Sequence, residues 1–521
     1  MHQRLFFILV LLISQTALAK RIQIIHTNDL HSFLGGTRTG KGGYARLKTK
    51  IDELRHWAEM QRIESVHLDA GDFGEGSSYF LADEGVTTLK ALDALGVDVS
   101  VIGNHDYILG SQVLAKQIKR SGLQTKLLSA NLKFKKRLGL KGLVENTTDL
   151  KLNGLKVRVI GLTTDEVHYQ YPLRPYGYLT SPHNVGVRLA KRAKKKDKAD
   201  YVIALTHIGY ERDLKLAQKT KSIDLIIGGH SHTTLKEIKY QKNRNNKMVP
   251  VVQTGAHGVN VGELIIDLLP NGKSKVISYN LYPITEEIPE DPELKKVTEE
   301  AFILREKYFN RSWNEPIGES EIILTGYIDG VSNKKATCWG EHMAKMVYEK
   351  TKADVGIHIS HFEGEAIKPG VITFGDMIDN FPHFRKFGDE GWQVATSRTN
   401  GFVLKKLLRE LFKRQTQFGI NFYGIIMPSS GNIESPYDIT EYMIENAKIN
   451  GKKIVNTKFY YLAYPSELPF GVKKIAPYLM DIVFTRSELT KHFYWPLIED
   501  YIKANSPIKC IAVPGTQPDQ V

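Results

Sequence analysis

The stretch Val101-Ile102-Gly103-Asn104-His105-Asp106 joins an apolar run to three polar residues that can bind metal or carry protons. A buried parallel strand with a site at its end has this form, because ligands bind at the carboxyl ends of strands in α/β sheets. Four other predicted strands in the first half end on similar residues, namely Asp29-Leu30-His31, Gly71-Asp72, His207 and Gly229-His230-Ser231-His232. The repetition predicts an α/β domain with one composite active site at a sheet edge.

These strand ends supply a set of oxygen and nitrogen ligands. Mn, Zn, Fe and Co accept carboxylate and imidazole groups, and alternate residues of an extended chain lie on one face. A single histidine at a strand end is more often satisfied by hydrogen bonds, so the prediction depends on all the strand ends together. Seven ligands fill two metal sites if one carboxylate is shared, and two ions about 3.5–4 Å apart can act together on a phosphoester. The predicted ligands are Asp29, His31, Asp72, Asn104, His207, His230 and His232.

A chain of 521 residues is too long for one hydrophobic core, and two domains of roughly 200 to 250 residues are expected. Alternating strands and helices predict the first domain over residues 20–285. A proline-containing break opens a linker with a charged helix, over residues 286–317. A second α/β unit is predicted over residues 318–521, with a closing helix over residues 489–502.

Residues 1–19 predict a secretory signal peptide. Arg4 precedes an apolar run from Leu5 to Ile13, and Ala17-Leu18-Ala19 places small residues at the cleavage site. The run is too short for a transmembrane helix, and no later stretch reaches the roughly 18 apolar residues that one needs. An N-terminal anchor or a buried strand is the alternative. We therefore expect a periplasmic or secreted protein without a transmembrane segment.

The net charge of +14 favours a small anionic substrate or an anionic envelope surface. The basic run Lys191–Lys198 ends a predicted helix, where cations complement the helix dipole. No nucleic-acid motif is present, so a nucleic acid duplex is not an expected partner. The two cysteines, Cys338 and Cys510, form either a disulfide or two buried thiols, and the sequence leaves this open.

Six segments of the first half match sequence motifs of one protein family. They are Ile25-His26-Thr27-Asn28-Asp29-Leu30-His31, Asp69-Ala70-Gly71-Asp72, Gly103-Asn104-His105-Asp106, Thr206-His207, Gly229-His230-Ser231-His232 and Gln253-Thr254-Gly255-Ala256-His257-Gly258. On these segments, the chain resembles the bacterial 5'-nucleotidase family of calcineurin-like metallophosphoesterases. Relatives in that family include UDP-sugar hydrolases and 2',3'-cyclic-nucleotide phosphodiesterases of the periplasm.

The resemblance implies a four-layer α/β/β/α sandwich followed by a second α/β domain of the 5'-nucleotidase type. It also implies an exported phosphoesterase that hydrolyses nucleotides or related small phosphoesters by metal-activated water. Two divalent ions are implied, with the choice among Mn, Zn, Co and Fe left open. One ion would bind Asp29, His31, Asp72 and His232, and the other Asp72, Asn104, His207 and His230, with Asp72 bridging.

His105 matches the catalytic histidine of the family, but its expected partner is missing. The family commonly has an acid three positions after this histidine, and here the residue is Ile108. Either Asp106 or a residue elsewhere in the chain pairs with His105 in place of this acid, or His105 works without a carboxylate. The catalytic candidates are therefore His105 and Asp106. Related di-manganese sulfur-oxidation hydrolases also lack this acid. A hydrolase of another ester class, a sulfur ester or a cyclic nucleotide, therefore stays open.

The second half resembles the family's substrate domain more weakly, and the sequence motifs with which that family binds its substrate are missing here. Gly364 stands where the family has a phosphate-binding arginine, and His383 where a phenylalanine stacks on the base. Lys334 and Lys335 are the nearest equivalents of two further arginines. The aromatic and histidine residues near these positions either form a different substrate pocket or are ordinary core residues. The substrate-binding residues therefore stay unassigned. The residues of this predicted aromatic pocket are His361, Phe362, His383, Phe384 and Phe470.

A catalytically inactive binding protein of the same fold is the alternative function, from another class of protein.

Overall fold

The structure is a computed structural model, and the predicted signal peptide, Lys334, Lys335 and Phe470 lie outside the residues that it describes. Those residues are 20–134, 139–166, 173, 177–269, 274–325, 327–328, 331–332, 337–413, 419–427, 436–469, 483–484 and 486–510. The strands of the first half are β1 (Lys20–Thr27), β2 (Glu64–Asp69), β3 (Val99–Val101), β4 (Lys126–Leu128), β5 (Leu132–Phe134), β6 (Val144–Glu145), β7 (Thr147–Leu152), β8 (Leu155–Thr163), β9 (Gly177–Leu179), β10 (Tyr201–His207), β11 (Leu225–Gly228), β12 (Lys239–Lys242), β13 (Met248–Val252), β14 (Asn260–Leu268) and β15 (Ser274–Pro283). The helices are α1 (Tyr44–Met60), α2 (Val86–Ala94), α3 (Ser111–Ser121), α4 (Pro182–Lys195) and α5 (Tyr210–Lys219).

Two sheets stack face to face in this half. One has the order β15-β14-β1-β2-β3-β4-β6 and the other β12-β13-β11-β10-β8-β7. Alternate residues point to opposite faces of a strand, so Ile22 and Ile24 of β1 enter the core between the sheets with Ile203 and Leu205 of β10. The helices α1, α2 and α3 cover the outer face of one sheet, and α4 and α5 cover the other. The predicted four-layer α/β/β/α sandwich is confirmed.

The strand directions bring the predicted ligands to one edge. In the first sheet β1, β2 and β3 are parallel, and in the second β8, β10 and β11 are parallel. The carboxyl ends of parallel strands meet at the same edge of a sheet. Asp29, Asp72 and Asn104 follow the first three strands, while His207 and His230 come at the ends of β10 and β11. The site therefore lies where the same edges of the two stacked sheets meet.

The second half is a separate α/β unit around a mixed sheet of order β22-β19-β26-β21-β27. Its strands are β16 (Pro316–Ser320), β17 (Tyr327–Ile328), β18 (Val331–Ser332), β19 (Val355–Ile359), β20 (Gly370–Thr373), β21 (Gln393–Asn400), β22 (Ile420–Tyr423), β23 (Ile425–Ile426), β24 (Lys448–Ile449), β25 (Lys452–Lys453), β26 (Phe459–Pro465) and β27 (Glu488–Phe493). Its helices, after the linker helix α6 (Pro292–Phe309), are α7 (Cys338–Thr351), α8 (Phe374–Asn380), α9 (Gly401–Phe412), α10 (Pro436–Glu445) and α11 (Tyr494–Asn505). A second α/β domain is thus confirmed as well.

The closing helix predicted over residues 489–502 is wrong at its start. The segment up to Phe493 is the edge strand β27, which pairs antiparallel with β21, and the helix begins only at Tyr494. Pro496 explains the boundary, because proline is tolerated in the first turn of a helix but disrupts a helix interior. A helix from residue 489 would have placed this proline in its interior.

The linker helix α6 packs on both halves of the chain. Its Leu294 and Ala301 lie in the core under α1 and α2, whereas Phe302 and Phe309 pack against the core of the second domain. The side chain of Asp291 caps it by accepting the N–H of Leu294. The division into residues 20–285, 286–317 and 318–521 stays a prediction, because the packing around this helix is continuous. Among the described residues, no helix is long and apolar enough to cross a membrane.

A disulfide joins Cys338 at the start of α7 to Cys510 beyond α11. It settles the alternative that the sequence left open. Disulfides persist in oxidising compartments and are rare in the cytosol of most organisms. This bridge ties the segment that follows α11 to the start of α7.

Replacing both cysteines with serine is expected to lower the free energy of unfolding by about 2–5 kcal/mol. The bridge closes a separation of 172 residues, and its loss releases the unfolded chain from that constraint. Denaturant titration of the oxidised protein measures the change. Dithiothreitol should destabilise the unmodified protein and leave the double serine variant unchanged. An unmodified protein that does not respond to dithiothreitol would contradict a stabilising role for the bridge.

Candidate metal and catalytic centre

The predicted ligands meet at the common edge of the two sheets in two groups. Asp29, His31 and His232 form one triad, in which one ligand atom from each residue lies within 4.8 Å of the others. Asp72, His207 and His230 form a second triad with the same spacing. Each triad combines a carboxylate oxygen with two imidazole nitrogens, which is a donor set for Zn, Mn, Fe or Co.

In the first triad, hydrogen bonds fix which histidine nitrogen faces the site. His31 Nδ1 lies 2.7 Å from the carbonyl oxygen of Glu75. A carbonyl only accepts, so Nδ1 carries the proton and Nε2 is left as a ligand atom. That Nε2 lies 3.1 Å from His232 Nε2, which in turn lies 3.4 Å from Asp29 Oδ1. The arrangement fits a cation held by all three groups.

In the second triad, His207 Nδ1 donates to the carbonyl oxygen of Ala70 at 2.7 Å, and Nε2 faces Asp72 Oδ2 at 2.9 Å. Asn104 is 1% exposed, and neither its Oδ1 nor its Nδ2 has a hydrogen-bond partner among the residues that the structure describes. An unsatisfied buried amide costs free energy, so it needs a ligand to explain it. Coordination of an ion through Oδ1 would remove that cost. The residues therefore fit the two divalent ions that the family implies.

Asp72 lies between the two triads. Its Oδ2 is 2.9 Å from His207 Nε2 and 3.8 Å from His31 Nε2, while its Oδ1 accepts the backbone N–H of His105 at 2.8 Å. Burial alone would raise the pKa of Asp72, but His207 and His105 outweigh it and hold the pKa well below its usual range. An ionised carboxylate in this position can serve both triads.

The backbone of the site is unusual at the ligands themselves. A positive φ is uncommon for residues other than glycine, because the Cβ then crowds the backbone. Five of the seven predicted ligands have φ between 48° and 77°. These five are Asp29, His31, Asp72, His230 and His232. The tight turns after the strands are thus built partly from the predicted ligands themselves, beside glycines such as Gly71, whose φ is 86°.

His105 is partnered by Glu75, a residue that the sequence interpretation missed. His105 Nδ1 lies 2.5 Å from Glu75 Oε2, and Glu75 is only 3% exposed. Burial alone would lower the pKa of His105, but Asp72 and Glu75 together outweigh it and raise the pKa to about 9. The available signal was Gly74-Glu75-Gly76, an acid between two glycines just after a predicted ligand.

Asp106, the other catalytic candidate, has a different environment. Its Oδ2 accepts the backbone N–H of Gly103 at 2.7 Å and of Asp72 at 3.1 Å, and its Oδ1 accepts the N–H of Gly74 at 2.8 Å. These bonds tie the loop after β3 to the loop after β2. The geometry thus places Asp106 as a brace between the two ligand loops, while Glu75 takes the place of the acid missing at Ile108.

The residues expected to form a substrate pocket have different environments in the structure. Phe384 is buried in the core of the second domain and packs near Phe80 of the first. His383 and Phe362 lie instead against Trp392, at ring-centroid distances of 4.4 and 5.2 Å. His383 also faces the catalytic loops, since its Nδ1 is 3.6 Å from Glu75 Oε1. Of the predicted pocket residues, His383 and Phe362 therefore lie together beside Trp392, whereas Phe384 is part of the core.

Comparisons with known proteins place this geometry in a family. Residues 22–234 match the model of the calcineurin-like phosphoesterase family. The chain is 28% identical over 84% of its length to the trifunctional nucleotide phosphoesterase protein YfkN of Bacillus subtilis, and spans 31% of that protein. It is 26% identical to a 5'-nucleotidase of Vibrio cholerae, over 94% of this chain and 91% of that protein. The crystal structure of a 5'-nucleotidase precursor from Thermus thermophilus superposes with a TM-score of 0.79 at 22% identity, covering 96% and 98% of the two chains.

Residues 22–234 thus belong to the calcineurin-like phosphoesterases, a class of metal-dependent phosphoester hydrolases. Within that class, the described residues have the two-domain fold of a 5'-nucleotidase precursor of known structure. The chain spans less than a third of the Bacillus protein but nearly all of the Vibrio one.

Proposed function

We propose that this protein is an exported di-metal phosphoesterase that hydrolyses nucleotides or related small phosphoesters. The observation that carries the proposal is the pair of triads around Asp72, with His105 attached directly to that carboxylate through its backbone N–H. Two divalent ions held by these residues would supply an activated water and would neutralise the charge that develops on a phosphoryl group. The similarity to 5'-nucleotidases and to a trifunctional nucleotide phosphoesterase supports the same substrate class.

The residues of the chain divide the remaining work. Asp29, His31 and His232 would hold one ion, and Asn104, His207 and His230 the other, with Asp72 shared. Glu75 binds His105 at Nδ1, so the proton that His105 shares with the phosphoryl or leaving oxygen is carried at Nε2. His105 and its carboxylate would thus act as a general acid or as a stabiliser of the leaving oxygen.

A hydrolysis screen tests the function directly. The protein, loaded in turn with Mn, Zn or Co, should hydrolyse a generic aryl phosphate and lose this activity in EDTA. Elemental analysis should find two divalent ions per chain. A protein that binds two ions and hydrolyses no phosphate ester, sulfur ester or cyclic nucleotide would be a binding protein, which would overturn the proposal.

Export is part of the proposal. It rests on the predicted signal peptide over residues 1–19 and on the disulfide between Cys338 and Cys510, which suits an oxidising compartment. Cell fractionation of the full chain is the test. The mature protein should appear in the periplasm or the medium with residues 1–19 removed, and an uncleaved cytoplasmic protein would contradict export.

We expect little preference for the nucleoside part of a substrate. Neither Gly364 nor His383 has the side chain that the family uses at these positions, and base stacking typically contributes on the order of 1–3 kcal/mol. The ratio of kcat/KM for AMP against ribose 5-phosphate measures this preference, and should be well under about 100-fold. A ratio of about 100-fold or more, which corresponds to about 2.7 kcal/mol, would mean that other residues of the second domain recognise the base.

A further inference from the structure

His383 belongs to the second domain, and contacts within that domain fix its ring. Its Nε2 lies 2.7 Å from the carbonyl oxygen of Phe362, which only accepts, so Nε2 carries a proton. One face of the ring stacks on Trp392 at 4.4 Å with an interplanar angle of 14°. Phe381 meets the ring edge to face at 5.3 Å and 90°. Three contacts therefore determine where the remaining nitrogen, Nδ1, points.

Nδ1 of His383 points across the domain boundary at Glu75. The distance from Nδ1 to Glu75 Oε1 is 3.6 Å, longer than a hydrogen bond but within ion-pair distance when the His383 ring carries a proton on both nitrogens. The other oxygen of the same carboxylate, Oε2, binds His105 Nδ1 at 2.5 Å. Glu75 thus lies between a histidine of the metal domain and a histidine of the second domain, with one oxygen toward each.

We propose that His383 is a positioning residue for the catalytic centre. It holds the Glu75 carboxylate in the orientation that binds His105, so the second domain completes the acid–base apparatus of the first. A buried carboxylate with only one partner would be free to turn about its terminal torsion, which is broad and soft. A second partner on the opposite oxygen restricts that rotation. This inference depends on the proposed function, since it assigns a role within the same site.

Two other roles for His383 make different predictions. If its ring serves only to stack on a substrate base, a phenylalanine should replace it without loss, because the stacking surface is kept. If its only role is to hold the two domains together, its loss should resemble the loss of any other contact across the boundary. Arg38 provides that comparison, because it pairs with Asp376 and Asp379 across the same boundary.

The test is a double-mutant cycle on the metal-loaded full chain with an aryl phosphate. His383→Phe should lower kcat by about 10–100-fold, the usual effect of losing a partner that orients a site ligand, with KM changed less than about threefold. Glu75→Gln should cost at least as much, and the double variant should be no slower than Glu75→Gln alone, because residues that act as a unit are not additive. Two ions per chain by elemental analysis would exclude metal loss as the cause.

Two control variants complete the design. His492→Phe changes a histidine of the edge strand β27 in the same domain, and its kcat should equal that of the unmodified protein. Arg38→Gln weakens the same boundary, but its effect should add to that of Glu75→Gln. If His383→Phe does not fold, His383→Gln takes its place in the cycle.

The outcomes separate the inference from the proposed function. Additive effects of His383→Phe and Glu75→Gln, an unchanged kcat, or a change confined to KM would overturn the positioning role. If the unmodified protein hydrolyses no phosphoester, the proposed function fails. The same double-mutant cycle is then repeated with the thermal unfolding midpoint, Tm, of each metal-loaded variant as the measured quantity. Coupling between Glu75 and His383 in that midpoint would support the contact, and independent shifts would overturn it.

Discussion

Asp72→Ala should yield a protein that retains neither metal ion and hydrolyses phosphoesters more than about 100-fold more slowly. Residues that only orient metal ligands already cost about 10–100-fold when changed, so a shared ligand should cost more. Asp72 Oδ2 lies within reach of both His207 Nε2 and His31 Nε2, at 2.9 and 3.8 Å, so its removal affects both triads. Elemental analysis and kcat with an aryl phosphate measure the two effects.

The matched comparison is His31→Ala. His31 belongs to one triad only, so its loss should weaken one ion more than the other and leave close to one ion per chain. A fully active Asp72→Ala protein, or full activity after EDTA treatment, would be incompatible with a di-metal centre. Loss of both ions from His31→Ala would show that the two sites are not separable in the way the two triads suggest.

The second large effect concerns His105. His105→Asn should keep both ions and lower kcat by about 10²–10⁴-fold, the range for a general acid or base. Its side-chain Nδ1 lies 2.5 Å from Glu75 Oε2, and its backbone N–H donates to Asp72 Oδ1, the predicted bridging ligand. Metal content and steady-state kinetics on the same preparation test this division of roles.

Glu75→Gln and Asp106→Asn distinguish the two candidate partners of His105. Glu75→Gln should depress kcat at constant metal content. Asp106→Asn should act mainly on stability, since both Asp106 oxygens accept backbone N–H groups of the ligand loops. A shifted pH profile for Asp106→Asn with normal stability would restore Asp106 as the catalytic acid. Loss of metal in His105→Asn would show that His105 is itself a ligand.

The two candidate metal-binding triads could be predicted from sequence because their residues follow a regular rule. Apolar strands of a parallel sheet can be recognised from their residues, and their carboxyl ends meet at one edge whatever the connecting segments do. Asp29 and His207 are 178 positions apart, yet each directly follows or ends such a strand. Because the carboxyl ends of parallel strands meet at one edge, both residues can be placed there without knowledge of the loop geometry.

Glu75 could not be found in the same way. It lies three residues beyond Asp72, in a loop whose path depends on backbone N–H groups bonded to Asp106. The contact with His105 is a product of that tertiary arrangement, and no periodicity marks it. His383 is a stronger case, because its position follows from packing on Trp392 and Phe381, and from the docking of one domain against the other.

The second domain was predicted in class but not in detail. Strand β27 was mistaken for helix because Leu489 to Ile502 has apolar residues at helical spacing, and pairing with β21 decided the outcome. Most of the predicted pocket residues lie where the family's recognition motifs are missing, in residues 359–364 and 382–385. Those positions locate a loop, but packing against Phe80 decides that Phe384 is core.

The left-handed backbone of five predicted metal ligands sets a limit on how this protein can evolve. Each such residue costs about 1–2 kcal/mol relative to ordinary backbone, so the five together cost an amount comparable to the net stability of a whole domain. Glycine at any of these positions would relax the chain and remove a ligand at once. Selection for a more robust fold and selection for a metal-binding one therefore act in opposite directions at the same five residues. Any gain in robustness has to come from the surrounding layers, such as the core that Ile22 and Leu205 share between the two sheets.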